Sequence, residues 1–288
     1  MRYTCLECLC LVLCMLFPLS AFSATSREKA TANEYYQQAL NAEKAKKMLR
    51  AIDLYTKAIK LDPDLVAAYN NRAIIFANLG RLDKAIEDYS KAIDTDPKIM
   101  SAYFNRGVIY QQMEEHENAI TDFTESLKID PEHLLAYETL ARSYIALGEN
   151  EKAVETYTQA IEKAPQILDF RLNRARVNMM LSEYNKALED IDFVIQENPK
   201  ISNTYISRGV IYNAMGKPDE AISNYTKAIE LTPNSLPAYA NRGTVYRDMG
   251  RYDKAIADYE KVIELDPSSS AYEEEVKKLK ELIRKEKE

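Results

Sequence analysis

Five arginines, Arg72, Arg106, Arg174, Arg208 and Arg242, are each followed sixteen residues later by a carboxylate or its amide: Asp88, Asp122, Asp190, Asn224 and Asp258. Two chemistries fit such a row. Exposed guanidinium groups bind anions, whereas a guanidinium facing a carboxylate forms a planar bidentate ion pair. The two residue types also disappear together, since Gln38 and Leu140 stand at the equivalent arginine positions and Leu54 and Thr156 at the equivalent acid positions. Co-occurrence within one chain favours an internal ion pair over an anion site. His116 and His133 are the two histidines, and all four cysteines (Cys5, Cys8, Cys10 and Cys14) lie near the start. No nucleophile elbow, phosphate loop or HExxH motif occurs. The expectation is a chain with no enzymatic activity, no cofactor, no metal and no small-molecule substrate.

Composition narrows the partners. A net charge of -7 argues against nucleic acid, whose binders carry a basic patch or stripe. No Lys/Arg run is long enough for a polybasic membrane patch. The first 23 residues differ from the rest: Arg2 is a short positive start, Leu9 to Phe17 is apolar, Pro18 ends the run, and Ala21 and Ser23 are small. This is the layout of a secretory signal peptide cut after Ser23. The apolar run is short of the ~20 residues of a membrane span, and an uncleaved anchor is the alternative. Cys14 follows Leu13 rather than a small residue, which speaks against lipidation. Removing the leader would remove every cysteine, which suits an oxidising compartment. Export to the periplasm or the medium is therefore expected.

The elements that position the arginines follow from a period. Pro63, Pro97, Pro131, Pro165, Pro199, Pro233 and Pro267 are spaced by 34 residues throughout. A fixed period of this length marks a solenoid of helical hairpins. With Pro at position 32, seven repeats start at Ala32, Val66, Met100, Leu134, Leu168, Ser202 and Leu236. Position 20 is Ala in all seven repeats, position 8 is Ala or Gly, and position 24 is aromatic in six, with Ile191 in the fifth. Position 4 is Tyr in six repeats and position 11 aromatic in five, so fifteen of the twenty tyrosines sit at scaffold positions. Spacings of three and four residues give each helix one apolar stripe, and the Pro stops the second helix. His116 and His133 then fall in turns at opposite edges, which excludes a shared metal site. Asn224-Tyr225-Thr226 has the form of a glycosylation sequon but falls mid-helix and is read as chance.

This pattern resembles the tetratricopeptide repeat, with Tyr where that family often has Trp at position 4. The resemblance covers residues 32–269. It implies an all-α fold: an α-solenoid of seven 34-residue helix-turn-helix repeats wound into a right-handed superhelix, its concave face lined by the first (A) helix of each pair. Residues 24–31 are read as a short linker and 270–288 as a C-terminal capping helix striped by Tyr272, Val276, Leu279 and Ile283. Glu34, Gln38 and Asn41 replace the residues that would meet a preceding repeat, so both ends read as finished, and a monomer is expected.

The family's binding modes transfer only in part. The two-carboxylate clamp needs Asn at position 9, which here is Leu40, Ile74, Val108, Arg142, Arg176, Val210 and Thr244, so the clamp is absent. The asparagine ladder, which grips an extended peptide, uses Asn at position 6, present as Asn71, Asn105, Asn173 and Asn241. Amides can serve both N–H and C=O of a peptide; the alternative is that Asn is simply tolerated at this position. Groove positions also carry an apolar set, Phe104, Leu135, Ile145, Leu172, Met179, Met180 and Ile206. Such a patch with polar neighbours marks an interaction site, unless the side chains pack onto adjoining A helices. Together these residues point to an exported, non-enzymatic scaffold that binds a peptide or helix of another protein. A self-assembling structural protein is the alternative.

Overall fold

The computed structural model describes residues 24–287, and the leader reading of residues 1–23 lies outside them. Among the described residues the chain is all-α, with fifteen helices and no strand. The described residues divide into two compact units, one ending at Ala102 and one beginning at Tyr103, each an α-solenoid array of helical hairpins. The first holds α1 (Ser26–Lys44), α2 (Met48–Leu61), α3 (Val66–Asn78), α4 (Leu82–Thr95) and the start of α5 (Met100–Gln112). The second continues with α6 (His116–Ile129), α7 (Leu134–Ala146), α8 (Asn150–Lys163), α9 (Leu168–Met180), α10 (Tyr184–Glu197) and α11 (Ser202–Ala214). It ends with α12 (Pro218–Leu231), α13 (Leu236–Asp248), α14 (Tyr252–Leu265) and α15 (Ser270–Lys287). Odd-numbered helices through α13 are the A helices and even-numbered ones the B helices.

Residues 24–31 depart from the linker reading, because α1 already begins at Ser26. Thr25 caps it. The Glu28 amide donates to Thr25 Oγ1 at 3.3 Å, and the Thr25 amide donates to Glu28 Oε2 at 2.8 Å. This reciprocal box satisfies donors that a helix start leaves open, so the helix forms before the first repeat boundary.

B helices stop for a local reason. Each is followed one residue later by the periodic Pro, which has no N–H to continue the ladder. In four of them the residue before Pro is an Asp whose side chain closes the turn. Asp62, Asp96, Asp130 and Asp266 accept from the backbone N–H two residues on, at 3.3, 3.0, 3.0 and 3.0 Å. The A–B turn needs a left-handed residue at position 15. Gly80, Gly148, Gly216 and Gly250 supply it with φ of 70 to 74°, whereas Lys46, Glu114 and Ser182 adopt φ of 57, 62 and 59° despite carrying a Cβ.

The small and aromatic positions pack as pairs. All seven position-20 alanines are 0% exposed, which lets the A and B helices of a hairpin approach. Six position-24 rings are at most 2% exposed. A Cβ built on Gly209 would sit 2.6 Å from Tyr225 Cε1, so the ring rests on the backbone of its own A helix. Burial pushes the Tyr225 hydroxyl up to about 12. At the chain's far end, Val276 and Leu279 are buried with Tyr272 and Ile283 against Ala255, Ile256 and Tyr259, covering the last B helix. At the other end Glu34, Gln38 and Asn41 are exposed on α1.

Candidate functional site: the A-helix face

The arginines at position 7 are internal. Arg72 Nε and Nη2 donate to Asp88 at 2.8 and 2.7 Å, and Arg106 does the same to Asp122 at 2.8 and 2.8 Å. Arg174–Asp190 and Arg242–Asp258 repeat the geometry at 2.7–2.9 Å. In the fourth variant Arg208 Nε donates to Asn224 Oδ1 at 2.6 Å, and Asn224 Nδ2 to the Glu220 carbonyl at 2.9 Å, so the sequon asparagine is consumed by packing. The remaining nitrogen ties a hairpin to the one before it: Arg72, Arg174 and Arg242 Nη1 reach Thr56, Thr158 and Thr226 at 2.8, 2.9 and 2.9 Å. Burial raises the Asp88 and Asp122 carboxyls against the pull of their arginines, and hydrogen bonding to Asp122 raises Arg106. None of these guanidinium groups is aimed at a ligand. Arg72 and Arg106 are also half-covered by tyrosine and phenylalanine rings 5.8–5.9 Å away.

The histidines are apart in role. His116 opens α6, while His133 meets Phe104 edge-on at 4.6 Å. Among the described residues no cluster of His, Cys, Asp and Glu has metal-binding arrangement.

The groove residues separate into packed and free groups. Phe104 belongs to the packed group: its ring also lies 5.7 Å from Phe123. Ile145 packs on the cluster around Tyr137 and Tyr157. Asn71, in the first unit, is engaged: its amide donates to the Tyr36 and Tyr55 hydroxyls at 3.2 and 3.4 Å and its oxygen accepts from Asn70 at 3.3 Å. Phe104 and Asn71 are thus each engaged by a neighbouring ring while remaining part-exposed. Asn105 and Asn241 are half-buried on α5 and α13, away from the clefts that collect the other residues.

In the second unit α7, α9 and α11 do collect them. Leu135, Leu172 and Asn173 line a cleft of about 390 Å³ between α7 and α9, with Glu138 and Asp169 at its edge. Leu172, Asn173, Met179 and Ile206 line a second, of about 500 Å³, between α9 and α11. Leu172 and Asn173 belong to both, so the two clefts form one strip. Leu135 is 52% and Met180 54% exposed, large apolar side chains that a folded chain ordinarily covers. Arg176 joins the second cleft and Arg142 a third, of about 480 Å³, between α5 and α7. Neither arginine makes an ion pair among the described residues, unlike Arg174, which stands two positions before Arg176 and holds Asp190. Asn203, Thr204 and Val210 complete the strip. Thr204 carried no signal in the sequence beyond standing where four repeats have Ala.

Ligand sites are commonly apolar with a few polar groups that orient what binds. Comparison with known proteins bears on the fold. Models of the tetratricopeptide repeat match residues 32–65, 66–99, 98–166, 138–200, 202–235 and 237–269. A solved tetratricopeptide repeat protein from Parabacteroides merdae is 21% identical over 87% of this chain and 99% of its own, with a TM-score of 0.56. The C-terminal part of a TPR repeat-containing protein from Cytophaga hutchinsonii is 19% identical over 83% of this chain and 98% of its own, with a TM-score of 0.70. YrrB, described as a TPR protein with an unusual peptide-binding site, is 22% identical over 64% of this chain and 95% of its own, at a TM-score of 0.55. These likenesses are of fold, and with period, hairpin geometry and family models in agreement, this chain belongs to the tetratricopeptide repeat family.

Proposed function

We infer that the chain is an exported, non-enzymatic adaptor that holds a segment of another protein on the A-helix face of its second unit. The observation that carries this is the strip formed by Leu135, Leu172, Asn173, Met179 and Ile206 across α7, α9 and α11. Apolar side chains supply the binding energy, because a few buried anchors dominate most interfaces. Asn173 makes no side-chain hydrogen bond among the described residues and is available to bond a peptide backbone. Export rests on the leader's apolar run and the Ala21/Ser23 pair. No helix among the described residues is long and apolar enough to cross a membrane.

The test is affinity capture from the native envelope with the tagged chain. It is followed by calorimetric titration of the captured protein with wild type and with Leu135→Ala/Leu172→Ala. A folded double variant that binds normally would discard the strip. Light scattering of the purified chain separates an adaptor, expected as a monomer, from a self-assembling protein.

A further inference from the structure

The fifth repeat lacks a ring that the other six possess. Position 24 there is Ile191, against Tyr or Phe elsewhere. In four other hairpins a second ring lies against it, tilted by 40 to 49°. Tyr157 meets Phe170 at 6.5 Å and Tyr259 meets Tyr272 at 5.3 Å, both through position 3 of the next helix pair. Phe104 and Phe123 pair at 5.7 Å through position 5. Around Ile191 all three places are non-aromatic: position 24 is Ile191, position 5 is Leu172, and position 3 of the next repeat is Thr204. All three line the 500 Å³ cleft between α9 and α11. Ile191 and Thr204, 2% and 1% exposed, form the floor of this cleft on the A-helix face, with Leu172 at its side.

Two polar features say what fits there. Thr204 is 1% exposed and its hydroxyl has no hydrogen-bond partner, an arrangement that costs free energy until something bonds it. Arg176 is the one charged residue lining the cleft; it is exposed, it has no ion pair among the described residues, and no carboxylate lines the cleft beside it. The rest of the lining is apolar or amide except for the Ser207 hydroxyl.

We propose that this cleft receives an aromatic side chain of the partner, a tyrosine flanked by an acidic residue, which restores the missing ring, bonds Thr204 Oγ1 through its hydroxyl and pairs its carboxylate with Arg176. The proposal rests on the adaptor reading and specifies its anchor. It gives the divergence of the fifth repeat a purpose: a ring omitted from the scaffold is supplied by the ligand. The chain's net charge of -7 repels acidic peptides in general, so any preference for acid has to be local.

The probes are acetyl-Asp-Tyr-Asp-amide, acetyl-Lys-Tyr-Lys-amide and acetyl-Asp-Ala-Asp-amide, titrated into the full chain and followed by NMR at the Ile, Leu, Val and Met methyls. The first should give saturable shifts confined to α9, α10 and α11. The lysine peptide should bind at least tenfold more weakly, and the alanine peptide should give no saturable shift. Ile191→Tyr should fill the cleft, raise the melting temperature and abolish the shifts. Should that variant misfold, Ile191→Phe asks the same question. Arg176→Gln should keep tyrosine-peptide binding while erasing the acid-over-lysine preference. No saturable shift, shifts spread over every repeat, or unchanged binding by a folded Ile191→Tyr chain would overturn the proposal. The two readings fail separately: a captured partner that binds Ile191→Tyr normally but is lost by Leu135→Ala/Leu172→Ala rejects the ring site and keeps the strip, whereas one that a folded Leu135→Ala/Leu172→Ala chain binds normally rejects the strip.

Discussion

Arg242 holds Asp258 by two parallel hydrogen bonds, Nε at 2.9 Å and Nη2 at 2.8 Å, across sixteen residues and the full width of one hairpin. The Asp side chain is 7% and the Arg side chain 17% exposed. Breaking such a pair from one side strands a charge in the interior, which costs about 3 kcal/mol, against below ~1 for an exposed pair. Arg242→Ala is expected to lower the unfolding free energy measured in urea by that amount, and Asp258→Ala in the same background to add little. A double-mutant cycle measures the coupling; additive effects would show the two residues acting independently.

The left-handed turn residues make a prediction of opposite sign. Glu114 and Ser182 hold φ near +60° with a side chain attached, where four sister repeats have glycine. A non-glycine residue there costs roughly 1–2 kcal/mol. Glu114→Gly and Ser182→Gly should each raise stability by about 1 kcal/mol, partly offset by glycine's greater freedom in the unfolded chain. Thermal unfolding decides; a lower melting temperature in both would mean the side chains make compensating contacts.

Groove substitutions should divide by packing. Leu135→Ala with Met180→Ala removes exposed side chains, so circular dichroism should show an unchanged melt. Loss of two anchors should weaken the captured partner by at least ~2 kcal/mol, roughly thirtyfold. Phe104→Ala should instead destabilise the fold by ~2 kcal/mol, because its ring supports Phe123 and His133. Lys57→Ala and Glu87→Ala, both on exposed B-helix surface, should change neither property. Partner loss on the B-helix variants would move the binding site off the A helices.

Processing is testable by mass. Export with cleavage after Ser23 predicts that the protein recovered from the envelope or medium begins at Ala24. An intact mass that retains Met1 to Phe22 would replace the soluble adaptor with an anchored one.

The 34-residue spacing of proline, alanine and the rings was sufficient to locate every hairpin in the sequence, because each repeat packs only on its neighbours and the pattern of contacts is as periodic as the chain. The arginine–aspartate pairs were legible for the same reason, since two residue types that vanish together betray a contact. The N-terminal extension of α1 was missed because its Thr25–Glu28 box lies outside the repeat and has no sister copies to reveal it. The left-handed turns at Lys46, Glu114 and Ser182 were likewise hidden, as their residue types do not advertise a positive φ. Only the tertiary structure decided which groove residues are free. Positions 5 and 6 recur at the same places on every A helix, but their fate depends on the ring facing them from another helix. Tyr36 and Tyr55 claim Asn71, Phe123 claims Phe104, and opposite Leu172 the ring is absent, leaving a cleft. Periodicity dictates where a side chain points; the size of its neighbour across the hairpin decides whether anything remains for a partner to fill.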